Sequence, residues 1–446
     1  MNAVLLAAAP LAMAQYTHLQ YIGWPMQTGY NAFVSSGGLY YGEDGGIGIY
    51  AGKHDTTADI EARVSLMRVA LLKVAASPDI DKRPSTLKIF AAPEFFFRGA
   101  IGAYPLGDDK GLRAVQGLAK MLNALIAGDE WRDWVCFFGT TIGYKPSHPS
   151  TVESAPGARR PLLDTYNFAL VQRGGPGGER HVHFKTYISS IDFLDATPGT
   201  DGTVTFPDMN VSRAPLSWPK PMRKVTKVYP LISGAVKEGL ERVVGRPVAA
   251  PRFEMANVSF CLDICLDHGM GVCAKALDKE KAEGKGPGLV SVHAIVSAGM
   301  RINPLHVRVP AGGSALLADG LGAGAQQSLE SHALPMASHV HPASPEEARA
   351  SYGEAAVIAE ARRAGVAPNL VLDDDYQGKV KSTPVEVLGP EWKARVNGVF
   401  AVQRYGAAKP PWDDYSYGGA AEEAWAFVAE VKPEAHVFAT APIVRP

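Results

Sequence analysis

The chain has 446 residues, 46% of them hydrophobic and 20% charged, and a formal net charge of −1. That is ordinary globular composition, long enough for one large α/β domain or two smaller ones with a full core. There is no basic excess to suggest a nucleic-acid partner, no charged tail, and no apolar run near the roughly 20 residues a membrane-spanning helix needs.

Residues 3–14 are apolar and end in Ala12-Met13-Ala14, a pattern like a signal-peptidase site. No Lys or Arg precedes the run, so the positive leader region is missing. A secretory signal would place the protein in the periplasm or outside the cell. A buried or unprocessed apolar end would leave it in the cytoplasm. Both readings stay open.

Residues 15–55 are rich in Gly and aromatics, with strand-like pieces such as Asn31–Ser35. Thr56 and Thr57 offer a helix N-cap, and Asp59 and Glu61 in the first turn complement the helix dipole. Ile60, Val64, Met67, Leu71 and Val74 follow at helical spacing, and the helix is expected to stop near Ala76-Ser77-Pro78. Leu87–Ala92 reads as a short apolar strand that Pro93 and Glu94 terminate. A second helix fits Gly111–Ile126, followed by a strand at Val135–Ile142. The Pro-, Ser- and Gly-rich residues 145–163 read as a surface loop. Tyr166–Gln172 and Arg180–Ile188 read as a hairpin turning at Gly174–Gly178.

A long loop is expected at 196–221 and a helix opening at Pro230, with Leu231, Ala235, Leu240 and Val243 on its apolar side. Val258–Cys273 then forms a buried strand that breaks off at Cys265 in a turn carrying Asp267, His268, Gly269 and Gly271. A helix at Val272–Lys285, a strand at Leu289–Val296 and a short strand and turn at Gly312–Gly320 follow. Residues 321–350 look irregular, 345–365 fit an Ala-rich helix, and Val399–Gln403 and His436–Ile443 are strand-like. Alternating strands and helices argue an α/β fold. The hairpin and the strand-rich tail argue against a purely parallel sheet.

Three strand ends carry chemistry-bearing residues. Glu94 follows Phe90–Pro93 and leads into Phe95-Phe96-Phe97-Arg98-Gly99. Lys185 ends His183-Phe184-Lys185-Thr186-Tyr187, and Cys265 sits in Ile264-Cys265-Leu266-Asp267. Each alone has a simpler explanation: a solvated carboxylate, a surface lysine, an inert core thiol. Together, in this chain order, they resemble the nitrilase (carbon–nitrogen hydrolase) superfamily, in its amidase-like branch, over roughly residues 56–300. Pro93-Glu94, Phe184-Lys185 and Ile264-Cys265-Leu266-Asp267 match its motifs. Leu266 stands where an aromatic is frequent, and Leu-Asp in place of the Trp-Glu often found in nitrilases favours a carboxamide over a nitrile as substrate.

The resemblance implies a four-layer α-β-β-α sandwich. It makes residues 15–446 one catalytic domain, with an insertion at 196–250 and an extension at about 345–446. It implies a small-molecule amide or nitrile substrate, no cofactor, no metal, no nucleic acid, no membrane, and association into a dimer or larger homo-oligomer. By the same resemblance Cys265 attacks as the nucleophile and Glu94 is the general base. Lys185 holds the developing oxyanion beside the Leu266 N–H, in keeping with what thiol-dependent amide cleavage needs. A nearby cation also lowers a thiol pKa from its reference near 8.5. Phe95, Arg98, Tyr187, His268 and Met300 are candidate pocket residues by closeness to the motifs. Asp192 and Asp195 are candidates for the second acidic residue the family carries after its lysine.

Other readings compete. Cys261, Cys265, His268 and Cys273 are zinc-ligand types, but no paired-Cys knuckle appears. A disulfide among Cys136, Cys261 and Cys273 has to spare Cys265. A Cys265–His268 catalytic pair is disfavoured by its short spacing, and His268 is better placed at the pocket entrance or capping the next helix. An acyltransferase would use the same three residues, and an inactive binding protein the same fold.

Overall fold

Alternation within the strands decides the architecture. The computed structural model describes residues 16–26, 28, 55–99, 103–106, 109–155, 158–188, 251–303, 306–320, 325–328, 380–387 and 434–446, with two-residue strands at 34–35, 38–39, 197–198, 204–205 and 226–227. In chain order the main elements are β1 (His18–Gly23), α1 (Thr56–Ala76), β2 (Thr86–Ala92), α2 (Asp109–Leu125), β3 (Trp134–Ala155), β4 (Ala158–Arg173) and β5 (Arg180–Phe184). Then come β6 (Arg252–Met255), β7 (Val258–Ile264), α3 (Leu266–Gly269), α4 (Val272–Ala282), β8 (Val292–Ser297), β9 (Ser314–Asp319), β10 (Ala325–Ser328), β11 (Ser382–Glu386), β12 (Glu434–Phe438) and β13 (Ala441–Pro442).

Two mixed sheets result. The first runs β11-β12-β1-β2-β3-β4-β5 and the second β6-β7-β8-β9-β10. β1, β2 and β3 pair in parallel, as do β7, β8 and β9, while the outer neighbours are antiparallel. Side chains on a strand alternate between faces. In β2, Leu87, Ile89 and Ala91 join one apolar cluster with Phe260 and Leu262 of β7 and Ala294 of β8. Phe90 and Ala92 join another with Ile60, Met67 and Leu71 of α1 and Leu118 and Leu122 of α2. On the far face of the second sheet, Cys261 and Ala315 pack with Cys273 and Leu277 of α4. The layers therefore run helix, sheet, sheet, helix. Full burial of one such side chain stabilises by about 2 kcal/mol.

Several expectations shift. Asp55, not Thr56 or Thr57, caps α1: its side chain accepts the Ala58 N–H at 2.8 Å. Asp59 does sit in the first turn, but it is fully buried and ion-paired to Arg63 at 2.6 Å. Tyr104 also donates to Asp59, and Arg63 donates to the Phe96 carbonyl at 2.7 Å, so the cluster braces the Glu94 loop. The loop expected at 145–163 is instead the extended tip of the β3–β4 hairpin, with register shifts at Pro146/Thr151 and Glu153/Ala155. Backbone pairing there survives proline because bulges absorb the missing donor.

The tail adds β11, β12 and β13 to the edge of the first sheet, covering the strand-like His436–Ile443. Residues 1–14, the helices expected after Pro230 and at 345–365, and the Val399–Gln403 strand lie outside the described residues. From the expected insertion, Thr226–Lys227 pairs antiparallel with Tyr187–Ile188, directly after Lys185.

Candidate active site

The carboxyl ends of β2, β5, β7, β8 and β9 share one rim, the edge at which open α/β sheets commonly bind ligands. Glu94 reaches it through a tight turn. Phe95 takes φ +64°, a left-handed conformation rare for a bulky residue. That turn is held from β3, where the register shifts between Phe137 and Thr140 around Gly139. Gly139 has φ +75°, and a Cβ there would strike the Pro93 carbonyl. The bulge aims Thr140 at the turn. Its hydroxyl accepts the Phe95 N–H at 2.9 Å, and its carbonyl accepts the Phe97 N–H at 2.9 Å. Thr28 adds a strap: its hydroxyl donates to the Glu94 carbonyl, and its N–H donates to Gly320 at the end of β9.

Lys185 arrives by strand parity. His181 and His183 pair with Val171 and Ala169, which face the second sheet, so Lys185 continues on that side. Its ammonium donates to Glu94 Oε1 at 2.8 Å, with both side chains fully buried. Asn167 Nδ2 donates to the same oxygen at 2.7 Å, and its carbonyl accepts the Lys185 N–H at 2.8 Å. The Phe95 ring lies beneath the Arg98 guanidinium, 4.4 Å from its centroid, and 5.9 Å from the Lys185 ammonium. Arg98 also donates to the Thr28 carbonyl at 3.4 Å.

Cys265 follows the last residue of β7 with φ +49° and ψ −108°, a strained backbone for a non-glycine residue. Such strain persists only where neighbours enforce it. The Cys265 N–H donates to Val296 at 2.9 Å, and its carbonyl accepts the His268 N–H at 2.8 Å. Cys265 is 5% exposed, and α3 starts at Leu266, where a first-turn N–H has no intrahelical acceptor. Asp267 links this elbow to Lys185: it accepts Thr186 N–H at 2.9 and 3.0 Å and Tyr187 N–H at 2.8 Å. Burial holds the Asp267 carboxyl well above the usual carboxylate range, and those N–H groups and the Lys185 ammonium offset it only in part.

The other candidate pocket residues divide. Leu266 packs with Met270, Tyr187 and Met300, so three of the expected residues share one apolar wall. Phe95 packs with Ala298, the residue after β8. Asp192 and Asp195 lie outside the described residues. His268 does not line a pocket entrance or cap α4. It is fully buried, and both ring nitrogens are engaged.

Those bonds assign the tautomers. The Asn303 N–H can only donate, so His268 Nε2 accepts it at 2.8 Å and Nδ1–H donates to Asp263 at 3.1 Å. The Arg308 N–H likewise reaches His293 Nδ1 at 3.3 Å, leaving Nε2–H to donate to Asp263 at 2.9 Å. The other Asp263 oxygen accepts the Cys273 N–H. Asp263, His268 and His293 are grouped closely enough to hold a cation. A ligating histidine, however, normally donates from its second nitrogen, and here both second nitrogens accept. The cluster is a hydrogen-bonded buttress under the elbow. Burial pushes Asp263 up, but the two imidazoles outweigh it and hold the carboxyl well below its usual range.

The zinc reading fails on its cysteines too, because Cys261 and Cys273 form a disulfide between β7 and α4, and Cys265 stays outside that bond as a thiol. Closing a loop of sequence separation 12 contributes about 3 kcal/mol. Alkylating the guanidinium-unfolded, unreduced chain should therefore add two labels, at Cys136 and Cys265. Addition of four labels would refute the bond.

Sequence reasoning missed Thr28, Thr140, Asn167, Asp263 and Asp319. Asp319 accepts from Ser297 Oγ and from the Gly299 and Met300 N–H groups, and so shapes the loop that carries Met300. The available signal was a single polar residue inside an apolar strand, as at Asn167 and Asp263.

No family model matches this chain, and no curated protein matches it. Among solved structures, nitrilase-superfamily members align over much of the chain. Nit3 of Saccharomyces cerevisiae aligns at 9% identity over 68% of this chain and 76% of its own, with a TM-score of 0.29. An amidase from Nesterenkonia sp. aligns at 11% over 71% and 82%, TM-score 0.28. A CN-hydrolase superfamily protein of Xanthomonas campestris aligns at 11% over 70% and 81%, TM-score 0.27.

Proposed function

We propose that the chain is a thiol-dependent hydrolase of non-peptide C–N bonds, acting on a carboxamide. The observation that carries the reading is the fully buried Glu94–Lys185 pair on the same rim as the strained Cys265 elbow, joined to it through Asp267. A buried ion pair is a poor stabiliser compared with apolar packing. Its presence at the strand ends beside a thiol fits a catalytic use.

In this reading Cys265 Sγ attacks the amide carbon while Glu94 takes the thiol proton. Lys185 and the Leu266 N–H hold the oxyanion. Collapse expels ammonia or an amine, which receives the proton from Glu94, and leaves a thioester. Water then gives a proton to Glu94 and attacks the thioester. The acid leaves and the thiol takes the proton back. Neither half-reaction calls for a metal or an organic cofactor.

Iodoacetamide at neutral pH should add one label to the folded protein faster than to a free thiol, as read by intact mass. The label should vanish in Cys265→Ala. A screen of amides should find hydrolysis that falls more than about a thousandfold in that variant. Labelling of Cys136 instead, or labelling of Cys265 no faster than a free thiol, would sink the proposal.

A further inference from the structure

We propose that Asp267 is a positioning residue: its buried carboxyl group takes the two N–H groups that follow Lys185 and so holds that lysine against the Cys265 elbow. The inference rests on the functional reading above and adds a residue to it.

The register shows why the clamp is needed. β5 ends at Phe184, opposite Phe168, and the Lys185 N–H closes the ladder on Asn167. Beyond that point the chain leaves the first sheet, and the Thr186 and Tyr187 N–H groups need acceptors elsewhere. Asp267 supplies them from α3, which follows β7 of the second sheet. It is fully buried on α3, two residues past Cys265, and α3 is tied down by the His268 N–H to Cys265 and the Met270 N–H to Leu266. Lys185 is therefore fixed from two sides: at its tip by Glu94 and at its backbone by the element that carries the thiol.

Position and charge predict different results in one experiment. With nothing moved, removing a neutral carboxyl leaves the midpoint of the alkylation-rate curve against pH where it is, and removing an anion favours the thiolate and lowers it. Loss of the clamp lets Lys185 move away from the thiol and raises it. Asp267→Asn keeps the size of the side chain but turns one arm into an N–H donor facing another N–H. Iodoacetamide alkylation of Cys265 should then show a midpoint about one unit higher and a rate at pH 7 about tenfold lower.

A folded variant with an unchanged or lowered midpoint overturns the proposal. Hydrogen exchange on the unsubstituted protein gives a second test. The Thr186 and Tyr187 amides should exchange as slowly as those of β4, and fast exchange there overturns the clamp even if the variant does not fold. If wild-type Cys265 shows no enhanced reactivity, the functional reading fails, while the exchange measurement still decides whether the clamp exists.

Discussion

Replacing Lys185 with Met should destabilise the protein by about 3–5 kcal/mol and slow amide turnover by about 100- to 1000-fold. The stability loss follows from what remains. Glu94 would keep the Asn167 bond but lose its counter-charge in a site with no exposed side-chain surface. Burying an unpaired carboxylate costs far more than an exposed ion pair returns. Pairing the change with Glu94→Gln should restore most of the stability, since a neutral amide still accepts from Asn167, and should restore none of the activity. Urea denaturation and turnover of the two single variants and the double variant measure both effects. Additive stability losses, with no rescue in the double variant, would show that the pair is not the unit described.

Acid should weaken the fold well before ordinary carboxylates titrate. Burial pushes His306 down to about 3, helped by the neighbouring His268, and pushes His183 down to about 4 against the opposing charge of Asp263. His268 is also lowered by burial. Free histidine titrates near 6.5, so between that value and the folded one the unfolded chain binds protons that the folded chain refuses. Stability is full above pH 6.5 and falls as pH drops through the window. At pH 4.5, His306 and His183 together account for about 5 kcal/mol. Asp263 acts lower: its folded carboxyl is held below the unfolded value, so its contribution is lost only as pH falls below about 4. Denaturant midpoints at pH 7.5, 5.5 and 4.5 test this, and a flat profile over that range would contradict it. His306→Asn should shallow the profile, because it removes a titrating ring while keeping a donor for the His268 carbonyl, which His306 Nδ1 now reaches at 2.6 Å.

Glu94, Lys185 and Cys265 were legible because each follows a stretch that reads as a strand, and a chemistry-bearing side chain at a strand end is visible one-dimensionally. α1 and α2 were legible from helical spacing. What holds the three residues was not. Thr28 lies 66 residues from Glu94 and Asn167 lies 73 from it, separations at which local pattern carries no information. His268 was misread because Asn303, which occupies its second nitrogen, lies 35 residues away. β11 escaped because an edge strand containing Pro384 and mostly exposed side chains shows no alternation. The disulfide was one of several pairings open to the sequence, and only the approach of α4 to β7 selects it.

The bonds around the rim close on themselves. Cys265 is tied to Val296, and Ser297, next along β8, accepts from Gly320. Gly320 accepts from Thr28, Thr28 is tied to Glu94, Glu94 to Lys185, and the residues after Lys185 return to Asp267 beside Cys265. The circuit crosses between the sheets twice, so neither half of the chain holds a finished centre. During synthesis the amine and carboxylate of the first sheet emerge long before the thiol, and the thiol is followed by β8 and β9 before the ring can shut. The proposed chemistry thus requires the two sheets to have docked, and a chain still being made does not meet that requirement. The Thr226–Lys227 strand that pairs with Tyr187–Ile188 supplies none of these bonds, so a change there leaves the ring closed.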